Sequence, residues 1–264
     1  MSHLLIDQRD SIAIVTFNRP EKRNALSPEM MVRLAQFWRE VAEDNSVRVI
    51  VVTGAGDKAF SSGGDLSSLI PLMMRTRPPI GEWEERFAAD LKQFNAGMLR
   101  HANFFKPVIA AINGNAFAGG AEFAMATDLR VMSSEATFGI TEVRLGLIAS
   151  GGSAVRMARQ ISWANAMELL LLAEPISAQR ALEMGLVNRV VPPASLVEAV
   201  RELAMLVASG SDYTVSLGKR AFYEQIDMPQ EEAYRFARGV MRQNALADVA
   251  QEQMRVFLEK RGVR

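Results

Sequence analysis

The sequence predicts an α/β protein that ends in an all-helical region. Three observations carry that prediction. Strand-type runs alternate with helical patterns up to about residue 195, and from Leu196 to Arg264 the helical patterns continue without a strand. The 264 residues are 49 % hydrophobic and 23 % charged, a composition that builds a globular core. The chain thus divides into an α/β body, residues 1–195, and a helical region, residues 196–264.

Two short strands come first, Leu4–Asp7 and Ile12–Phe17, parted by a polar turn at Arg9-Asp10. Ser27-Pro28-Glu29 reads as a helix start: a capping hydroxyl, a proline in the first turn, then an acid. Met30, Leu34, Phe37 and Val41 give that helix its apolar face. Val47–Thr53 is β-branched and ends at Gly54, as a buried strand does. After Pro78-Pro79, one long helix is expected, with Trp83, Phe87, Leu91, Phe94 and Met98 as its core stripe and His101 near its end. Val108–Ile112 is a strand closed by the turn pair Asn113-Gly114. A short helix over Gly120–Thr127 and a strand over Leu129–Met132 follow. Helices are then expected over Ser153–Gln160, Ala164–Ala173 and Ala178–Met184, the last stopped by Gly185, before a strand at Leu186–Val191.

Composition narrows the chemistry. Thirty basic residues balance thirty acidic ones, so no net field favours nucleic acid or acidic lipid. No apolar run approaches a membrane span, and Asp7, Arg9 and Asp10 interrupt the first ten residues where a leader would be apolar, so a cytoplasmic location is expected. With no cysteine there are no thiol nucleophiles, disulfides or Cys-based metal sites. The two histidines, His3 and His101, cannot build a His-rich metal site, and no G-x-S-x-G elbow accompanies them. Catalysis therefore falls to carboxylates, hydroxyls or the backbone.

Two glycine loops invite a nucleotide reading and fail it. Gly54-Ala55-Gly56-Asp57-Lys58-Ala59 follows a strand, but another loop succeeds it where a dinucleotide site needs a helix. Gly114 to Gly119 has P-loop spacing, yet Gly120 and Ala121 stand where Lys and Ser/Thr are required. What remains is a pair of loops, Ser62-Gly63-Gly64 and Gly119-Gly120, with unobstructed N–H groups, the second opening a helix. Brought together, one N–H from each forms an oxyanion hole of backbone alone. Glu122 lies among apolar neighbours on the first turn of that helix, where a carboxylate is paired, protonated or functional. Glu142 follows the Phe138–Thr141 stretch. The plainer roles are a favourable charge near a helix N-terminus for Glu122 and a pairing with Arg144 or another base for Glu142.

The order of these segments resembles the enoyl-CoA hydratase/isomerase (crotonase) superfamily. Asn18-Arg19-Pro20 with Asn24-Ala25-Leu26, VIVVTGAGDKAFSSGGD (49–65), KPVIAAINGNAFAGGAEFAMATD (106–128) and residues 176–191 match its motifs in sequence. The resemblance implies a spiral of ββα units with a C-terminal helical oligomerisation region, forming a trimer or a dimer of trimers. It implies Ser62 and Gly119 as backbone donors to the thioester oxygen, and Glu122 and Glu142 as the catalytic carboxylates of a hydratase. Lys22, Ala25, Leu26, Ser62, Gly63, Gly64, Asp65 and Gly119 would hold the acyl-CoA substrate. No metal or separate cofactor is implied, coenzyme A arriving with the substrate of a β-oxidation-type lyase. An isomerase, a dehydratase of a specialised acyl-CoA and a non-catalytic acyl-CoA-binding member remain as alternatives. The sequence departs from the family at Thr141, where proline is usual, and at Ala149 and Ala154 in place of Pro and Thr. These changes surround the acyl pocket.

Overall fold

The structure is a computed structural model, and it describes residues 1–100 and 104–261. His101 lies outside the described residues. Six strands form the larger sheet: β1 (Leu4–Arg9), β2 (Ile12–Phe17), β3 (Val49–Gly54), β5 (Val108–Ile112), β7 (Leu129–Ser133) and β10 (Arg189–Val191), in the order β1-β2-β3-β5-β7-β10. Among the described residues of this sheet only the β1–β2 pair is antiparallel. A second sheet holds β4 (Ala59–Ser61), β6 (Asn115–Phe117), β8 (Thr137–Gly139) and β9 (Ile176–Ser177) in that order. Successive strand pairs, β3–β4, β5–β6 and β7–β8, each contribute one strand to either sheet before the chain turns into helix, so the repeated unit is ββα.

The larger sheet is buried on both faces, and its central strands carry the apolar residues for both: β5 is apolar at every position and β3 from Val49 to Val52. Ile50 and Val52 of β3 face the main core, as do Val108, Ala110 and Ile112 of β5. Val49, Val51, Ile109 and Ala111 face the other way, against Leu196, Val200, Leu203 and Ala204 of α9 (Leu196–Ala208). This helix covers a sheet face, so the α/β body runs one helix past the boundary expected at residue 195.

Helix α1 (Pro28–Glu43) starts as expected: the Ser27 hydroxyl accepts from the Met30 N–H at 3.2 Å, and Pro28 opens the first turn. The single helix expected across Trp83–Met98 is instead two short ones after α2 (Leu69–Met73): α3 (Glu82–Ala89) and α4 (Lys92–Gly97). Asp90 is extended between them and accepts from the Lys92 N–H at 3.0 Å, restarting the helix. The apolar stripe is core all the same, with Phe87 and Met98 fully buried. Helix α5 (Gly119–Ala126) is pinned to the sheet by Phe123, which meets Phe17 edge-on at 5.1 Å and stacks near Trp38 at 6.5 Å.

Beyond α6 (Ser153–Gln160), α7 (Trp163–Leu172) and α8 (Ala178–Glu183), the chain runs through α9 into α10 (Asp212–Gln225), α11 (Gln230–Ala245) and α12 (Asp248–Lys260). Neither α11 nor α12 buries a residue, and Met241, Leu246, Met254 and Phe257 are exposed. Among the described residues no helix is long and apolar enough to cross a membrane.

Candidate active site

The loop after β4 and the entry to α5 meet. The Leu26 N–H donates to the Gly63 carbonyl at 2.8 Å and the Asp65 N–H to the Leu26 carbonyl at 2.9 Å, so residues 22–26 and 62–65 run side by side. Asp65 clamps this loop. Its carboxylate accepts from the Arg19 guanidinium at 2.8 Å, from the Ser67 N–H at 2.8 Å and hydroxyl at 2.6 Å, and from the Ser68 N–H at 3.1 Å. Burial works against that charge, but the Ser67 hydroxyl, Arg19 and the Ser67 N–H outweigh it and hold Asp65 down at about 2.

Gly63 sits at φ +95, and a Cβ there would lie 2.8 Å from the Ala118 Cβ and 2.9 Å from the Gly119 nitrogen, so only glycine allows the two loops to approach. Ala118, at φ 48 and ψ −126, is a non-glycine residue in strained backbone immediately before α5. It delivers Gly119 to the first position of the helix, where an N–H has no intrahelical acceptor.

The structure corrects the partner expected for Gly119. The Ser62 N–H is spent on the Arg23 carbonyl at 3.0 Å, and its hydroxyl donates to the Lys22 carbonyl at 3.4 Å, so Ser62 has no free donor for an oxyanion. The Gly64 N–H, by contrast, makes no hydrogen bond among the described residues. Its nitrogen lies 3.4 Å from where a Gly119 Cβ would stand. The loop was legible as a donor loop; the alternation of its N–H directions was not, because it depends on pairing with residues 22–26.

Glu122 is buried, 3 % exposed, and its carboxylate is fully occupied on one side. Oε1 accepts from the Ser153 N–H at 2.9 Å and the Ser153 hydroxyl at 2.7 Å, while Oε2 accepts from the Gly151 N–H at 2.7 Å. These donors belong to the start of α6, so the glutamate on the first turn of α5 places its charge at the N-terminus of the next helix. Arg156 of α6 braces the same junction through the carbonyls of Met98, Leu99 and Gly151 at 3.3, 3.1 and 3.1 Å. Gly151, Ser153 and Arg156 were not singled out from sequence; the only signal was the glycine pair before α6.

Glu142 is half-buried, in the turn after β8, and its Oε2 is buried without a hydrogen-bond partner among the described residues. Burial, with repulsion from Glu122 second, pushes it up from 4.5 to about 7. The suggested pairing with Arg144 does not occur: Arg144 reaches Glu174 instead, at 3.5 Å. The two carboxyls sense each other, and only one is held by donors to its charged form.

Two-sheet ββα architecture, meeting glycine loops and paired glutamates define an α/β enzyme of the crotonase class. Comparison with known proteins agrees. Residues 7–264 match the family described as Enoyl-CoA hydratase/isomerase. The chain is 40 % identical over 226 residues, 86 % of its length and 84 % of the relative's, to the (E)-benzylidenesuccinyl-CoA hydratase of Thauera aromatica. It is 38 % identical over 257 residues, covering 97 % of this chain and 94 % of the other, to the enoyl-CoA hydratase EchA19 of Mycobacterium tuberculosis. The crystal structure of an enoyl-CoA hydratase from Bacillus anthracis superposes with a TM-score of 0.87 at 31 % identity, covering 98 % of this chain and 96 % of that one. The chain belongs to the enoyl-CoA hydratase/isomerase family, whose members act on acyl-CoA thioesters, and it is an enzyme.

Proposed function

We propose that the protein adds water reversibly across the 2,3 double bond of a trans-2-enoyl-CoA, giving a 3-hydroxyacyl-CoA. The observation that carries this reading is the inequality of the two glutamates: Glu122 surrounded by donors that favour its carboxylate, and Glu142 raised to about 7 beside it. Hydration needs one base and one acid at the same moment, and a pair in unlike settings supplies both.

The N–H groups of Gly64 and Gly119 donate to the thioester oxygen and stabilise the enolate that forms on it. Glu122 takes a proton from water as the water oxygen attacks C3, and the C2=C3 electron pair moves toward the thioester. Glu142 gives its proton to C2. The product carries the elements of one water, and proton exchange after release resets both carboxyls. No step in this scheme requires a metal or a second cofactor. Residues 22–26 and 62–65 flank the hole and are read as the wall for the coenzyme A portion. The exposed apolar faces of α11 and α12 are read as surfaces for further copies of the chain.

Turnover of crotonyl-CoA, followed as loss of enoyl-thioester absorbance, tests the proposal. Hydration with saturation kinetics supports it. Migration of the double bond in a 3-enoyl-CoA without any hydration would replace it with an isomerase reading.

A further inference from the structure

The side chain of Ser153 has no part in the reaction as written above, yet it is the most intimate partner of the proposed base. Ser153 is completely buried at the first position of α6. Its N–H and its hydroxyl both donate to Glu122 Oε1, at 2.9 and 2.7 Å. An N–H at this position comes from any residue; the hydroxyl comes from serine alone among the neighbours. A Cβ at Gly151 would collide with the Glu122 carboxylate and with Met98 Cε, so only glycine packs this closely beside Oε2.

Counting acceptor sites shows what this arrangement does. A carboxylate oxygen has two lone-pair directions in its plane. On Oε1 both are taken by Ser153, whereas on Oε2 one is taken by Gly151 and one is left. The free direction is the only one by which Glu122 can accept a proton without breaking a bond it already has. Its orientation is set by the rotation of the carboxylate about its last torsion, a broad, soft degree of freedom in glutamate. Two backbone donors on separate oxygens restrain that rotation; a third donor, from a side chain on the far oxygen, locks it.

The charged groups facing Glu122 do not perform this task. Glu142, from the turn after β8, repels it. Arg156 of α6 directs Nη1 to the Glu122 backbone carbonyl at 3.5 Å and the Gly151 carbonyl at 3.1 Å, and Arg100, after α4, donates to the Ser150 carbonyl at 2.5 Å. Both arginines hold main chain, and neither donates to the Glu122 carboxylate.

We propose that Ser153 is a positioning residue for the reaction: its hydroxyl fixes the Glu122 carboxylate so that the unoccupied lone pair of Oε2 points at the attacking water. This rests on the hydratase reading for its kinetic consequence, but the geometric claim stands without turnover. Loss of one charge-assisted hydrogen bond should show as a change of about tenfold.

The experiment compares the full-length protein with Ser153→Ala, Ser153→Gly and Ser153→Thr by two measurements. In hydrogen–deuterium exchange without substrate, the segment spanning residues 145–157 should lose protection at Gly151 by about tenfold in the alanine and glycine variants. The threonine variant should keep it. In hydration of crotonyl-CoA, kcat should fall by about tenfold in the same two variants with KM within about twofold, and threonine should restore kcat. Unchanged Gly151 exchange in folded Ser153→Ala and Ser153→Gly overturns the proposal whatever the enzyme catalyses. So does unchanged kcat in those variants when the wild type hydrates. Changed exchange with a wild type that hydrates nothing would uphold the positioning and reject the hydratase reading. If threonine does not fit the buried site, the alanine and glycine variants still decide the question.

Discussion

Glu122 and Glu142 are chemically identical and occupy opposite environments. Glu122 is wholly inside, between α5 and α6, with three donors on its carboxylate and an aromatic cluster beneath its helix. Glu142 sits in a turn whose neighbours Val143, Leu145 and Ile148 are exposed, and one of its oxygens is buried with nothing to bind. Burial alone does not decide a carboxyl's state. The more deeply buried group has its charge supported by the helix N-terminus, while the less buried one is raised because it loses water without gaining donors. The difference teaches that the supply of N–H groups gives two residues of one type unlike settings.

The comparison breaks most visibly in kinetics. Glu122→Gln and Glu142→Gln should each lower hydration by at least roughly 10²-fold, and the double variant should be much less than multiplicatively worse, because both groups serve the same addition step. Steady-state rates of the three variants check this; a Glu142→Gln enzyme within about threefold of wild type would remove Glu142 from the chemistry.

A smaller effect should appear in stability. Between 4.5 and about 7 the folded protein retains a proton on Glu142 that the unfolded chain has released. Stability therefore falls as pH rises through that window. Glu142→Gln, neutral throughout, should flatten the fall, its thermal midpoint gaining on wild type by roughly 2–4 °C between about pH 5 and pH 8 after allowance for partial exposure.

A third contrast is mechanical. Gly151→Ala, which sets a methyl against the Glu122 carboxylate, should cost about 1–3 kcal/mol in denaturant unfolding. Ile148→Ala, on the exposed loop beside Glu142, should stay within about 0.5 kcal/mol. Equal costs would mean that the two surroundings are not as unlike in rigidity as they are in hydrogen bonding.

What the sequence determined by itself was everything that a local pattern can carry. The strands of the larger sheet were legible because β3 and β5 are apolar runs, and Ile12–Phe17 and Val108–Ile112 match their expected bounds. Ser27-Pro28 announced α1, and Glu122, Glu142 and the two glycine loops stood out as chemistry without an obvious structural partner. The smaller sheet was invisible: β4, β6, β8 and β9 have two or three residues each, too few for a period to show. Tertiary structure alone decided which N–H groups of residues 62–64 are free, because pairing with residues 22–26 uses Ser62 and leaves Gly64. It also decided the unequal hydrogen bonding of the glutamates. Glu122 receives its donors from Gly151 and Ser153, about 30 residues further along the chain, and a charge stabilised across such a separation has no signature in local sequence.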